Sequence, residues 1–118
     1  MAREKLDPSI EAASVKEWRH WLSDYHEQAE YVWLIIFHKK SDKKSIYWPE
    51  AVDEALCFGW IDSIRRKRDH ESFYQYFTPR KPKSGWSRVN KEKIERLIRD
   101  GRMTRAGQQV INEARRNG

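Results

Sequence analysis

The sequence has little of what marks a secreted, metal-binding or membrane-spanning protein. Its single cysteine, Cys57, excludes an internal disulfide and any metal site built on a cysteine pair. The longest apolar run, residues 31–37, is far shorter than the ~20 residues that a transmembrane helix requires. The first residues carry no apolar stretch of the kind found in signal peptides. We therefore expect a cytoplasmic protein without membrane insertion.

Histidine spacing and glycine spacing argue against further classes of site. No spacing typical of a zinc site occurs among the four histidines, which are His20, His26, His38 and His70. The five glycines form no phosphate-binding loop, and no serine lies in a nucleophile elbow. We expect neither a bound metal nor a cofactor.

Aliphatic residues are also sparse, and aromatic residues take their place. Hydrophobic residues make up only 38% of the 118 residues, but the chain has six tryptophans, five tyrosines and four phenylalanines. Because each aromatic ring buries a large area, these side chains can form the core of one domain. Residues 1–13 contain Pro8 and show no periodicity, which predicts a flexible N-terminal arm before a single domain over residues 14–118.

Hydrophobic periodicity and capping residues predict four helices, two of them C-terminal. The sequence Ser14–Glu17 is a capping box that begins the first helix. Pro49 suits the first turn of a second helix, and Gly59 suits its left-handed end. Asn90 and Thr104 can cap the last two helices.

Three segments rich in β-branched and aromatic residues predict strands. Residues 31–37 lack polar alternation, as in a strand that is covered on both faces. Strands near residues 60–68 and 72–78 are joined by a short connection, which predicts an antiparallel hairpin. A right-handed parallel crossover can connect the first strand to the second. The expected fold class is α+β, with a small mixed or antiparallel sheet of about three strands packed with four helices.

The charge of the chain is unevenly distributed. Residues 1–58 carry 8 Lys+Arg and 11 Asp+Glu, whereas residues 59–118 carry 16 and 7, so the basic half has a net charge of +9. Clustered cations attract anionic partners and accelerate their association. A soluble surface with charges of both signs is the other interpretation, and charge alone leaves both open.

Two long stretches carry a family resemblance. They are Ala55–Ser63 (ALCFGWIDS) and Phe77–Ser87 (FTPRKPKSGWS), followed by Asn90 and by Gly101–Met103. In these residues the chain resembles the YdeI/OmpD-associated family, also called bacteriocin-protection proteins. The resemblance covers most of residues 14–115. It implies a bacterial or archaeal protein with a role in envelope stress or antimicrobial-peptide resistance, and it implies no particular reaction.

The proline-rich loop before the third helix is the main candidate for a binding site. If it folds back against the turn at Gly59, its cations and the free N–H groups of the next helix would face a pocket for an anionic small molecule or phosphate group. Trp86 could then stack on a ring. A structural loop, with Trp86 in the core and the cations in water, is the open alternative. The predicted site residues are Trp60, Asp62, Arg80, Lys83, Ser84, Trp86, Ser87 and Asn90.

Nucleic-acid binding by the basic half is the alternative function. Arg65–Arg68 lies on a predicted strand beside Tyr74 and Tyr76, and cations next to aromatic rings are typical of surfaces that bind single strands. No known nucleic-acid module is present, and a charged strand that protects the sheet edge explains the same residues.

Enzymatic chemistry has the least support. Asp62 could act as a general base and Cys57 as a nucleophile, but no histidine lies near the cysteine in sequence. Cys57 also falls late in a predicted helix, where the dipole disfavours a thiolate. Asp62 is better explained as a partner for an arginine such as Arg80. We predict no catalytic residue, and the ligand and the oligomeric state stay open.

Overall fold

The fold is α+β, with a four-stranded mixed sheet and four helices. A computed structural model describes residues 6–81 and 85–116. None of the helices in these two ranges is long and apolar enough to cross a membrane. In chain order the elements are β1 (Ser9–Glu11), α1 (Val15–Tyr25), β2 (Val32–Phe37), α2 (Trp48–Cys57), β3 (Trp60–Lys67), β4 (Ser72–Pro79), α3 (Arg88–Arg99) and α4 (Arg105–Arg116).

The sheet has one strand more than the sequence predicts. The additional strand is β1, which lies in the segment predicted as a flexible arm and pairs in parallel with β2. Ile10 of β1 lies beside Leu34 and packs against the main core. A strand of three residues is too short to show periodicity in the sequence, and its partner lies more than twenty residues away. The prediction of an arm was therefore wrong for residues 9–11.

The strand order is β1-β2-β4-β3, so the two strands of the predicted crossover, β2 and β3, are separated by β4. The predicted hairpin of β3 and β4 is confirmed as an antiparallel pair. Strand β4 also pairs antiparallel with β2, so β2 and β3 run in the same direction but are not neighbours. The parallel neighbour of β2 is instead β1, which reaches it through α1. As a result β3 is an edge strand.

Strand β2 separates two hydrophobic clusters, because all six of its residues are buried. Val32, Leu34 and Ile36 face the main core together with Trp18, Trp60 and the apolar side of α2. On the other face, Trp33, Ile35 and Phe37 cluster with Tyr74. The partly buried hydrophobic side chains packed against this second cluster are Leu6, Tyr31 and Tyr76, none of which belongs to a described helix.

The C-terminal end of α2 holds the start of α4. Gly59 ends the helix at φ +77°, as its position in the sequence predicts. The Cys57 carbonyl accepts hydrogen bonds from the Thr104 backbone N–H at 3.0 Å and from its hydroxyl at 2.5 Å. The Thr104 hydroxyl oxygen in turn accepts from the Gly107 N–H at 3.2 Å. The predicted capping role of Thr104 is therefore confirmed.

Gly107 is required by this contact, and we expect Gly107→Ala to destabilise the fold. The new Cβ would lie 2.3 Å from the Cys57 carbonyl oxygen and 2.5 Å from the Met103 sulfur. Overpacking against backbone should lower the free energy of unfolding by about 2 kcal/mol, even though alanine favours a helix. Urea denaturation measures the effect.

Gly85→Ala is the matched control, since its Cβ would meet no atom of the described residues within 4 Å apart from its chain neighbours. It should change the free energy of unfolding by less than about 0.5 kcal/mol. Equal stability of the two variants would contradict the close packing of α4 on α2.

Candidate functional site

The loop after β4 begins against the turn at Gly59, as the sequence analysis requires. Trp60 is paired with Pro79 across the β3–β4 hairpin. The Arg80 backbone N–H donates to the Gly59 carbonyl at 2.8 Å. These two contacts bring the predicted loop and the predicted turn together at one end of the hairpin.

Arg80 is the unusual residue of this region, because its charged side chain is only 7% exposed. The guanidinium carbon lies 3.6 Å from the centre of the Trp86 ring, and Nη2 donates to the Gly85 carbonyl. Within residues 6–81 and 85–116, no carboxylate forms an ion pair with Arg80. Burial lowers the pKa of Arg80 from its ordinary value, since desolvation disfavours the charged form.

Two N–H donors in this pair have no acceptor in the described part of the chain. They are Arg80 Nε and Trp86 Nε1, and both nitrogen atoms are buried. A buried donor without an acceptor costs free energy, so native proteins satisfy nearly all such groups. Trp86 itself is half-buried against the main core, and one face of its ring is occupied by Arg80. That face cannot stack on a ligand while the guanidinium covers it.

Ser87, and not Asn90, caps the third helix. The Ser87 hydroxyl accepts from the Asn90 backbone N–H at 3.1 Å, and the Ser87 carbonyl accepts from the Lys91 N–H at 3.0 Å. Asn90 is the third residue of α3. The prediction of an Asn90 cap was therefore wrong, because both residue types suit a cap and the sequence shows no boundary between them. Ser87 remains beside Trp86 at the start of the helix.

Trp60 and Asp62 do not belong to the Arg80–Trp86 pair. The Trp60 side chain is fully buried, its Nε1 donates to the His26 carbonyl at 3.3 Å, and its ring packs edge-on to Trp21. Asp62 accepts a hydrogen bond from Trp48 Nε1 at 2.9 Å, and no ion pair joins it to Arg80 among the described residues. The expectation of an Asp62–Arg80 pair was wrong. Lys83 and Ser84 lie outside the described residues.

A buried glutamate in α2 is a polar feature that the sequence analysis missed. Glu54 is only 1% exposed, and its carboxylate pairs with Arg19 at 3.2 Å and with Arg102. Arg19 also donates to the Arg102 carbonyl at 2.9 Å. A cleft of about 510 Å³ lies over these groups. The signal was the position of Glu54 three residues after Ala51, on the apolar side of the helix.

The contacts of Glu54 are those of a structural ion-pair network. Both oxygens of the Glu54 carboxylate have an arginine partner, so this carboxylate is fully engaged. The network joins α1, α2 and the α3–α4 connection, which is the work of a structural ion pair. Across the described ranges, no three histidine, cysteine, aspartate or glutamate side chains are arranged to hold a metal ion.

Comparison with protein families matches residues 10–110 to DUF8412, which is described as a domain of unknown function. The chain belongs to the DUF8412 family. None of the curated proteins and none of the solved structures matches it. The Gly59 turn, Arg80, Trp86 and Ser87 all lie inside the DUF8412 match. The resemblance to the YdeI/OmpD-associated family stays a prediction.

The cysteine of this DUF8412 domain is not prepared for nucleophilic chemistry. Cys57 is fully buried. Burial, followed by the charge of Glu54, raises the pKa of its thiol to about 11. A thiol in such a site stays protonated near neutral pH, so Cys57 fills the core as a small hydrophobic residue.

We therefore expect Cys57 to be inert towards thiol reagents in the folded protein. With a pKa of about 11, roughly one molecule in a thousand would be a thiolate at about pH 8. Ellman's reagent should react slowly with the native protein and rapidly in concentrated guanidinium chloride. Fast reaction of the folded protein, at a rate independent of its stability, would contradict the buried position.

Proposed function

We propose that this DUF8412 domain binds a small oxyanion, a phosphate or carboxylate group, at the Arg80–Trp86 pair. The observation that carries the proposal is a buried guanidinium without a carboxylate partner among the described residues. An isolated buried charge costs several kcal/mol, and an anionic ligand would offset that cost.

The contacts that Arg80 does make leave most of its charge uncompensated. Stacking on the Trp86 ring contributes about 2 kcal/mol when the cation is desolvated. The Gly85 carbonyl satisfies one guanidinium N–H, but Nε remains without an acceptor in the described chain. The oxygen atoms of a phosphate or carboxylate group accept hydrogen bonds from the N–H groups in the plane of an arginine guanidinium, and these charge-assisted bonds are strong.

The indole N–H of Trp86, like Arg80 Nε, is a donor that an anionic acceptor would satisfy. It is a neutral donor beside the guanidinium, and it too is buried without an acceptor in the described residues. An oxyanion has several acceptor oxygens, so one ligand group can serve both donors. This supports a small anion more than an aromatic ligand, since one face of the indole ring is already covered.

The start of α3 adds a positive electrostatic potential that favours an anion. Ser87 caps this twelve-residue helix, and no acidic residue lies in its first turn. The positive end of the helix dipole therefore faces the loop without a counter-charge from the helix itself. A role in envelope stress or antimicrobial-peptide resistance, which the YdeI/OmpD-associated resemblance implies, stays a prediction that these contacts do not address.

The proposal predicts that phosphate stabilises the protein through Arg80 and Trp86. At about 100 times its Kd, a bound anion raises the free energy of unfolding by about 2.7 kcal/mol. Thermal unfolding in phosphate, sulfate and acetate, against chloride at equal ionic strength, measures this effect. Arg80→Lys retains the charge but removes Nε, and Trp86→Phe retains the ring but removes the N–H. Both variants should lose most of the stabilisation.

Arg88→Lys is the matched control, because Arg88 is an exposed arginine at the start of the same helix. It should respond to phosphate like the wild-type protein. Titration followed by the indole N–H resonances gives a second readout, since the Trp86 resonance is the one absent from Trp86→Phe and should move on binding. An unmoved Trp86 resonance, or equal stabilisation of Arg80→Lys, would refute the proposal.

A further inference from the structure

A second surface, separate from the Arg80–Trp86 pair, combines exposed aromatic rings with cations. We call it the basic-aromatic surface, and it comprises the loop of residues 38–45, the start of α2 and the outer part of β3. Three of the exposed large hydrophobic side chains in the described chain lie in these segments. They are Tyr47, Trp48 and Ile64, with exposed fractions of 43%, 41% and 48%.

The rings and cations of this surface are in contact with one another. The Lys39 ammonium lies 5.2 Å from the centre of the Tyr47 ring. The Arg65 guanidinium lies 5.7 Å from the Trp48 ring and 4.0 Å from the Phe73 ring. Trp48 is held in place by its hydrogen bond to Asp62, yet much of its ring stays exposed. A cation therefore lies over one face of each ring, and the exposed part of each ring is available to a stacked base.

The loop contributes an open cleft and more positive charge. The cleft has a volume of about 300 Å³, and its lining includes Lys39, Lys43, Lys44 and Tyr47. Lys39 and Lys44 form no ion pair within residues 6–81 and 85–116, and neither does Lys67 of β3. Of the nearby carboxylates, Asp62 accepts from Trp48 and Glu71 pairs with Lys43 at 3.9 Å. Asp42 also lines the cleft and forms no ion pair within the described ranges, but the three lysines of the lining outnumber it. The surface therefore attracts anions.

We infer that the basic-aromatic surface binds single-stranded nucleic acid. Unpaired bases stack on exposed aromatic rings while cations contact the phosphates, and this combination does not depend on base sequence. A duplex hides its base faces, so Tyr47 and Trp48 would have nothing to stack on. A small anion would use the lysines but not the rings. A chain of stacked bases on a phosphate backbone accounts for both halves of the surface.

The aromatic partners differ from those that the sequence predicts. Tyr74 is buried on the other face of the sheet, and Tyr76 is half-buried with its ring 4.6 Å from Trp33. Neither presents a free face, so the predicted platform of Arg65–Arg68 with Tyr74 and Tyr76 was wrong. Arg65 keeps its predicted role beside different rings.

Fluorescence anisotropy with labelled single-stranded DNA and RNA of mixed sequence tests the inference. Trp48→Ala should weaken binding roughly 10-fold, because one stacked base loses its platform, whereas Trp48→Phe should retain most of the affinity. Contacts from Lys39, Lys44, Arg65 and Lys67 to four phosphates predict a slope of log affinity against log salt of about −3. Lys39→Gln with Lys44→Gln should halve that slope.

Lys91→Gln with Arg99→Gln is the matched control, since it removes the same charge from exposed positions of α3. It should leave the slope unchanged, and Arg80→Lys should leave the affinity unchanged, which separates this inference from the proposed oxyanion site. Several results would overturn it: no binding at low salt, equal binding of duplex, equal binding of polyglutamate, self-association through this surface, or a Trp48→Ala variant with full affinity.

Discussion

The requirement that β2 be covered on both faces determines where most of the aromatic residues go. All six β2 residues are apolar and buried, and the helices cover only one side of them. On the other side Trp33 packs against Tyr74 and Tyr76, so these rings replace a missing layer of helix. Aromatic residues that look available for binding in the sequence are thereby used for stability. Tyr47 and Trp48 stay exposed because they precede the buried part of α2.

The end of α2 is where fold and site are joined. Gly59 lets the chain turn directly from helix into β3, and its carbonyl accepts the Arg80 N–H. The Cys57 carbonyl, two residues before Gly59, holds the start of α4 by accepting hydrogen bonds from Thr104. One short segment thus fixes the direction of β3, the entry to the Arg80 loop and the last helix. Its residues are under structural constraint whatever the loop binds.

The sequence predicts the helices and the hairpin well because their signals are local. Caps, helix-ending glycine and alternating strands depend on neighbouring residues, and Ser14, Gly59 and Thr104 behave as expected. Strand β1 and the sheet order depend on distant pairing, which periodicity cannot show. The proximity of Arg80 to the Gly59 turn follows from the hairpin, whose signal is local, so the sequence predicts it. The partners of Asp62 and Trp60 are distant in sequence and are not predicted. The packing of α2 places Trp48 against Asp62, and the packing of the core places Trp60 against Trp21.

The contrast between buried Arg80 and the partly exposed arginines of the Glu54 network carries the functional argument furthest. Arg19 and Arg102 are each about one-third exposed, and both contact the same glutamate. Arg80 is much less exposed and lacks a carboxylate in the described chain, although burial makes its need for one greater. If the guanidinium served only to fill space beside Trp86, an uncharged side chain would do so without the desolvation cost. The charge of Arg80 therefore supports the proposal of an oxyanion ligand at this pair.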